Sequence, residues 1–220
     1  PDPASATVCP WDTRLAWFAG DLHLDGAPFE ACSRSILKRQ LDRARAMGFS
    51  FNLGIETEFF LFRETEDGGF APLSERDSLA KPCYDPRGLI DNLPIIDELV
   101  DAMNGLGWDV YSFDHEDANG QFETDFKFAD ALTMSDRFVF FRMMANEIAR
   151  KHGAFASFMP KPMENQAGNG MHLHCCLLDQ QGNNVFDSGD VEGTVLLRHA
   201  AAGCLELMAD THLIFAPSFN

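Results

Sequence analysis

Four glutamates and two histidines are spaced so that separate strands could aim them into one pocket. Glu56 and Glu58 stand two apart inside the apolar run Phe51–Phe62. In an extended strand, residues i and i+2 point to the same face. Leu53, Phe59, Phe60 and Leu61 around them indicate burial on both sides, and a buried carboxylate must be paired, protonated or metal-bound. Glu116 and Glu123 flank Asn119-Gly120, the strongest short hairpin signal, because a type I′ turn needs φ > 0 at both central residues. A turn centred there pairs Ala118 with Gln121, Asp117 with Phe122 and Glu116 with Glu123. The two glutamates then face each other with Cβ atoms roughly 5 Å apart, a destabilising arrangement whose sign a cation would reverse. His172 and His174 repeat the i, i+2 spacing behind Gly168-Asn169-Gly170. Taken singly, each piece has a plainer alternative: a solvated acidic hairpin, a polar strand face, a satisfied core histidine. Taken together, hard oxygen ligands with one imidazole suit Mg²⁺ or Mn²⁺ better than structural Zn²⁺. Four acids carry more charge than one divalent ion neutralises, so at least two ions are expected. Clustered divalent ions are a standard device for phosphoryl transfer.

Composition narrows the partners. A formal net charge of −17 argues against nucleic acid or an anionic membrane, and an anionic substrate then requires local cations. No apolar run reaches the roughly 18 residues of a spanning helix. The first residues, Pro1-Asp2-Pro3-Ala4-Ser5, have neither the basic flank nor the apolar core of a signal peptide. They read as mid-chain loop. Six cysteines without CxxC spacing fit a reduced, cytoplasmic protein.

The elements that must position these residues follow from period and punctuation. Leu15–Leu22 reads as a short strand. Residues 33–47 read as a helix capped by Ser33, with Ile36, Leu37, Leu41, Ala44 and Met47 on one face and Gly48 as its stop. Residues 63–93 read as a long connection, of the kind that is often functional or mobile. A helix is expected over Pro94–Leu106, closed by Gly107. Strands follow over Trp108–Phe113 and Phe122–Phe128, then a long core helix over Ala131–His152. Short strands over Ala154–Phe158 and Met171–Leu178, a turn at Asp179–Asn183 and a helix over Val191–Ile214 complete the pattern. Ala216–Asn220 does not read as a natural domain end. The expected fold class is α+β: a curved, mainly antiparallel sheet with the acids on its concave face, backed by the helices at 94–106 and 131–152.

Three motifs in order carry a family likeness. Gly54-Ile-Glu56-Thr-Glu58-Phe-Phe, His115-Glu116…Asn119-Gly120-Gln121-Phe122-Glu123, and Phe158-Met-Pro-Lys-Pro162…Gly168-Asn-Gly-Met-His172-Leu-His174 resemble the catalytic domain of glutamine synthetases. The Asp114-His-Glu-Asp-Ala-Asn-Gly-Gln variant looks like the type III branch, which includes enzymes making γ-glutamylmethylamide. The resemblance implies one metal held by Glu58, Glu116 and Glu123, and another by Glu56, His172 and a downstream Glu that this sequence lacks. It implies that Gly168 and His172 contact glutamate, and that Phe128, His174 and Cys176 lie near ATP. Cys176 stands where a Ser commonly contacts the nucleotide, and Tyr111 replaces a frequent acid there. The implied reaction has two steps. The glutamate side-chain carboxylate takes the γ-phosphoryl of ATP, then ammonia or a small amine displaces phosphate. The family builds homo-oligomeric rings. By the same likeness residues 1–28 look like the last strands of a small N-terminal β-grasp domain, and 29–220 like part of the catalytic domain. The family's arginine-rich segments would follow Asn220. Besides ligation to ammonia, the sequence leaves open a γ-glutamyl-amine ligase and a catalytically silent metal- or nucleotide-binding module.

Overall fold

A computed structural model describes residues 1–216. Four two-residue strands open the chain: β1 (Thr7–Val8) pairs with β2 (Ala16–Trp17), and β3 (His23–Leu24) with β4 (Ala27–Pro28). Helix α1 (Ser33–Ala46) leads into β5 (Ser50–Glu64), and β6 (Phe70–Pro72) precedes α2 (Pro86–Gly105). Then come β7 (Val110–His115), β8 (Gln121–Phe126), β9 (Ala129–Asp130) and α3 (Ala131–Lys151). Strands β10 (Phe155–Ser157) and β11 (Met171–Leu178) precede the last helix, α4 (Val195–Phe215).

The main sheet has seven strands built around β5 and is antiparallel throughout, with the order β10-β5-β8-β7 and with β6, β9 and β11 also paired to β5. The α+β expectation therefore holds. Strand β5 explains the two faces of the sheet. Alternate side chains point to opposite sides. Ile55, Phe59 and Leu61 join the main core with Phe122 and Phe126 of β8. Against them pack Ile95, Ile96, Leu99 and Met103 of α2 and Phe140, Phe141, Met144 and Ile148 of α3. Phe59 is fully buried, with the rings of Phe113, Phe122, Phe141 and Phe158 centred 5.6–6.5 Å away. The even-numbered residues take the other face. Phe60 and Phe62 form a smaller cluster there with Ala118, leaving Glu56 and Glu58 beside them on the same side.

Several boundaries differ from the sequence reading, each for a local reason. Helix α2 starts eight residues before Pro94: Asp85 caps it by accepting from the Arg87 N–H, and Pro86 sits in the first turn, where its missing donor has no role. Pro94 is tolerated inside the helix on the exposed side. At α1 the cap position is Cys32, without a side-chain bond, and Met47 is exposed rather than inward-facing. Leu15–Leu22 gives only the two-residue β2, because this segment folds in short hairpins tied down by Arg34, which bridges Asp2, Asp21 and Asp136. Thr194 caps α4 through the Leu197 N–H, so residues 191–194 lie outside that helix. The turn after β11 is as expected, with Asp179 accepting from the Gln181 and Asn183 N–H groups. Of the reading at Ala216–Asn220, residues 217–220 lie outside the described residues.

Candidate functional site

Two rows of polar side chains cross the even face of the sheet. Register sets the first: Asp114 on β7 opposes Glu123 on β8, which opposes Glu58 on β5. The second runs from Ser112 to Asp125, to Glu56, to His172 on β11. Directly opposed side chains stand roughly 5 Å apart at Cβ, so both rows juxtapose carboxylates.

The predicted pairing of Glu116 with Glu123 does not form. Asp114 is the residue opposite Glu123, and His115 is opposite Phe122. A two-residue type I′ turn requires two positive φ values, and here Gly120 has one (76°) while Asn119 does not. The connection is instead a wider loop in which the Gln121 N–H reaches the Ala118 carbonyl. Asp77, in the long 63–93 connection, holds that loop. Its carboxylate accepts from the Gly120 N–H (2.6 Å), Asn119 Nδ2 (3.0 Å) and His115 Nε2 (2.6 Å). Burial opposes its ionisation, and the hydrogen bonds from His115, Asn119 and Gly120 outweigh burial, holding the carboxyl below the usual range. Gly88 of α2 presses on this group: a Cβ there would lie 2.7 Å from His115 Nε2. Gly120 is also fixed by space, since a Cβ would crowd Pro72 and the Leu61 carbonyl.

Within the rows, Glu56 is gripped by two imidazoles. His172 Nδ1 lies 3.0 Å from one of its oxygens and His174 Nε2 lies 2.6 Å from the other. The hydrogen bond to Glu56 raises the His172 pKa. Ligand atoms of Glu56, Glu123 and His172 all lie within 4.8 Å of one another. Glu58 and Glu116 stand outside that group of three. One Glu58 oxygen accepts from Gln121 Nε2 (2.6 Å) and the Gly170 N–H (3.0 Å). Glu116 is half-buried, and burial first, then the charge of Glu58, pushes its carboxyl up. Glu123 is pushed up to about 7, by burial first and then by Asp125, Glu116, Glu58 and Glu56. Two acid oxygens and an imidazole nitrogen, with an excess of negative charge focused on Glu123, fit a hard divalent cation.

The elevated Glu123 carboxyl has a sign that can be measured. Without metal, the folded state holds this proton up to about pH 7, while the unfolded chain loses it near 4.5, the ordinary value for a glutamate. The folded state therefore binds more protons between these values, and stability falls as pH rises through that window. Thermal melts of the metal-free protein across pH 4.5–7 are expected to show this decline, and Glu123→Gln to flatten it. Equal pH slopes in the two proteins would contradict the assignment.

Residues that the motif reading left without a role complete the site. Gln121 Nε2 lies within hydrogen-bond distance of Glu58, the Gly168 carbonyl and Asn169 Oδ1, and Asn169 Nδ2 donates to the Ser157 and Met159 carbonyls. This chain of contacts ties the 158–170 loop to the acids. Gly168 is needed for space: a Cβ would sit 2.3 Å from the Pro160 carbonyl oxygen. Period two from Glu123 places Gln121 and Asp125 on the site face, a signal present in the sequence. Nothing in the sequence pairs Asp77 with the hairpin loop. Beside the acids is a cleft of about 530 Å³, lined by Gly54, Glu56, Tyr111, Phe128 and His174 among others. Phe128 and His174 thus share it, whereas Cys176 lies further along β11 opposite Asn52.

Residues 30–220 match the family model described as glutamine synthetase, catalytic domain. The chain is 40% identical over its whole length to the glutamate–methylamine ligase of Methyloversatilis universalis, covering 50% of that protein. It is 37% identical, again over its whole length, to a glutamine synthetase of Rhizobium meliloti, covering 51% of it. Among solved structures, a GmaS–ADP complex superposes with a TM-score of 0.83 and 41% identity, over 88% of this chain and 44% of that one. The chain spans about half the length of the curated relatives it matches.

Proposed function

The chain belongs to the glutamine synthetase catalytic-domain family, and on that premise we propose that its protein is an ATP-dependent ligase. It forms an amide on the side-chain carboxylate of glutamate through a γ-glutamyl phosphate. Ammonia or a small amine is the acceptor, and identity over the full chain to a glutamate–methylamine ligase favours testing methylamine beside ammonia. The observation that carries the reading is the convergence of Glu56, Glu123 and His172 within 4.8 Å, next to the cleft that Phe128 and His174 line.

In this reading Glu56, Glu58, Glu116, Glu123 and His172 hold two or more Mg²⁺ or Mn²⁺ ions. When bound, such ions supply the positive charge that gathers phosphate oxygens. The chain's own residues do the positioning. His172 and His174 fix both oxygens of Glu56. Gln121 donates to Glu58 and to the Gly168 carbonyl, tying the two together; in this reading Gly168 and His172 meet glutamate. Phe128 offers an exposed ring along the ATP cleft, with His174 beside it and Cys176 farther along the same strand. Positioning of this kind supplies much of the catalysis in phosphoryl transfer. Residues 1–28 belong to a preceding β-grasp domain, and the protein assembles as a homo-oligomeric ring. Six free cysteines suit the reducing cytoplasm. Among the described residues no helix is long and apolar enough to cross a membrane.

The test is direct. With Mg²⁺, ATP and glutamate, the protein is expected to release phosphate when ammonia or methylamine is added, and to yield the matching γ-glutamyl amide. No product with either amine, while Mn²⁺ binding is intact, would overturn the ligase reading in favour of a silent binding module.

A further inference from the structure

Asp125 has no role in the motifs, yet it occupies the centre of the second row. It stands directly opposite Glu56 on one side and Ser112 on the other. It is 9% exposed, and its Oδ1 is buried without a hydrogen-bond partner. The neighbouring acids are better satisfied. Asp114 accepts from Ser112 Oγ, Glu58 accepts from Gln121 and Gly170, and Glu56 meets two imidazoles. An unpaired buried carboxylate facing another carboxylate is a liability to the fold alone, so packing gives no reason for an acid here.

Its place on the sheet does give one. Asp125 shares a face with Glu123, two residues away on β8, and with Glu56 across the ladder. These are two of the three residues whose ligand atoms converge. Asp125 itself lies outside the group of three, so its oxygen would reach an ion there only by a change of rotamer or across a bound water.

We propose that Asp125 is a further carboxylate of the Glu56–His172 cation site, lending that ion a second acid from β8 beside Glu123. The inference rests on the metal-site part of the reading above and adds a residue to it. A divalent ion beside Asp125 would give the orphaned oxygen a partner and convert the Asp125–Glu56 repulsion into shared attraction.

The experiment is a Mn²⁺ titration of the 220-residue protein, followed by the electron paramagnetic resonance signal of free Mn²⁺. Asp125→Asn keeps the shape and removes the charge, and Asp125→Ala is the second variant. Both are expected to weaken by about tenfold or more the class of site that His172→Ala also weakens, and to leave the class sensitive to Glu116→Gln unchanged. Melting supplies a second readout. Without metal, Asp125→Asn is expected to melt above wild type, because an unpaired buried charge is gone. It is expected to gain fewer degrees than wild type from Mn²⁺, since linkage stabilisation falls with affinity. A purely structural aspartate would lower the metal-free melting temperature and leave Mn²⁺ affinity alone. Affinities within twofold of wild type in both variants would overturn the Asp125 assignment and spare the metal site. Absence of saturable Mn²⁺ binding by the wild type would overturn both.

Discussion

Replacing Asp77 by alanine is expected to destabilise the protein by about 3–5 kcal/mol, since each buried donor left unsatisfied costs about 1–3 kcal/mol. The Asp77 side chain is wholly buried and that of His115 nearly so. The substitution strands the Gly120 N–H and His115 Nε2 and leaves the Asn119 amide with only its bond to the Leu79 carbonyl. It also leaves a void against Gly88 that the helix backbone of α2 cannot fill. Because the same carboxylate sets the loop that carries Glu116, Mn²⁺ affinity should fall together with stability. Urea unfolding at neutral pH checks the first part. A loss below about 1 kcal/mol, the ordinary net value of a single hydrogen bond, would show that the loop is held by something else.

Glu56→Ala is expected to have the largest effect on metal binding, about 100-fold or more in Mn²⁺ affinity. Losses of orienting groups alone reach 10–100-fold, and Glu56 is both a member of the converging group and the anchor of His172 and His174. Glu58→Ala should weaken binding by about tenfold, since Glu58 lies outside that group and already engages Gln121 and Gly170. Calorimetric titration of the two variants gives the ordering. Equal and small losses would separate Glu56 from the metal.

The sheet and its backing helices are legible in the sequence because their signals are physical and local. The period-two run around Glu56 and Glu58 and the helical faces of α2 and α3 each follow from side-chain burial on one side. The rows themselves are only half legible. Period two predicts that Glu56 and Glu58 share a face, and likewise His172 and His174, but it cannot set the register between strands. Asn119-Gly120 carries a strong local turn preference, and a contact forty-odd residues away in the chain overrides it: Asp77 holds the loop open and shifts Glu123 opposite Asp114. The start of α2 was present as Asp85-Pro86, a cap followed by a first-turn proline. It was masked by Pro94, which reads as a helix start until its exposed position inside the helix is known. Asp125 and Gln121 follow from the same alternation as Glu123, and they lack only the context of neighbours across the ladder.

The central claim is that separate strands turn their acids into one pocket which bound cations make tolerable. Crystals of the protein grown with Mn²⁺ and measured at the manganese absorption edge test it most directly. An anomalous difference peak in contact with Glu56, Glu123 and His172 is the predicted result. Manganese found at other surface acids, with no peak among these three residues, would contradict it.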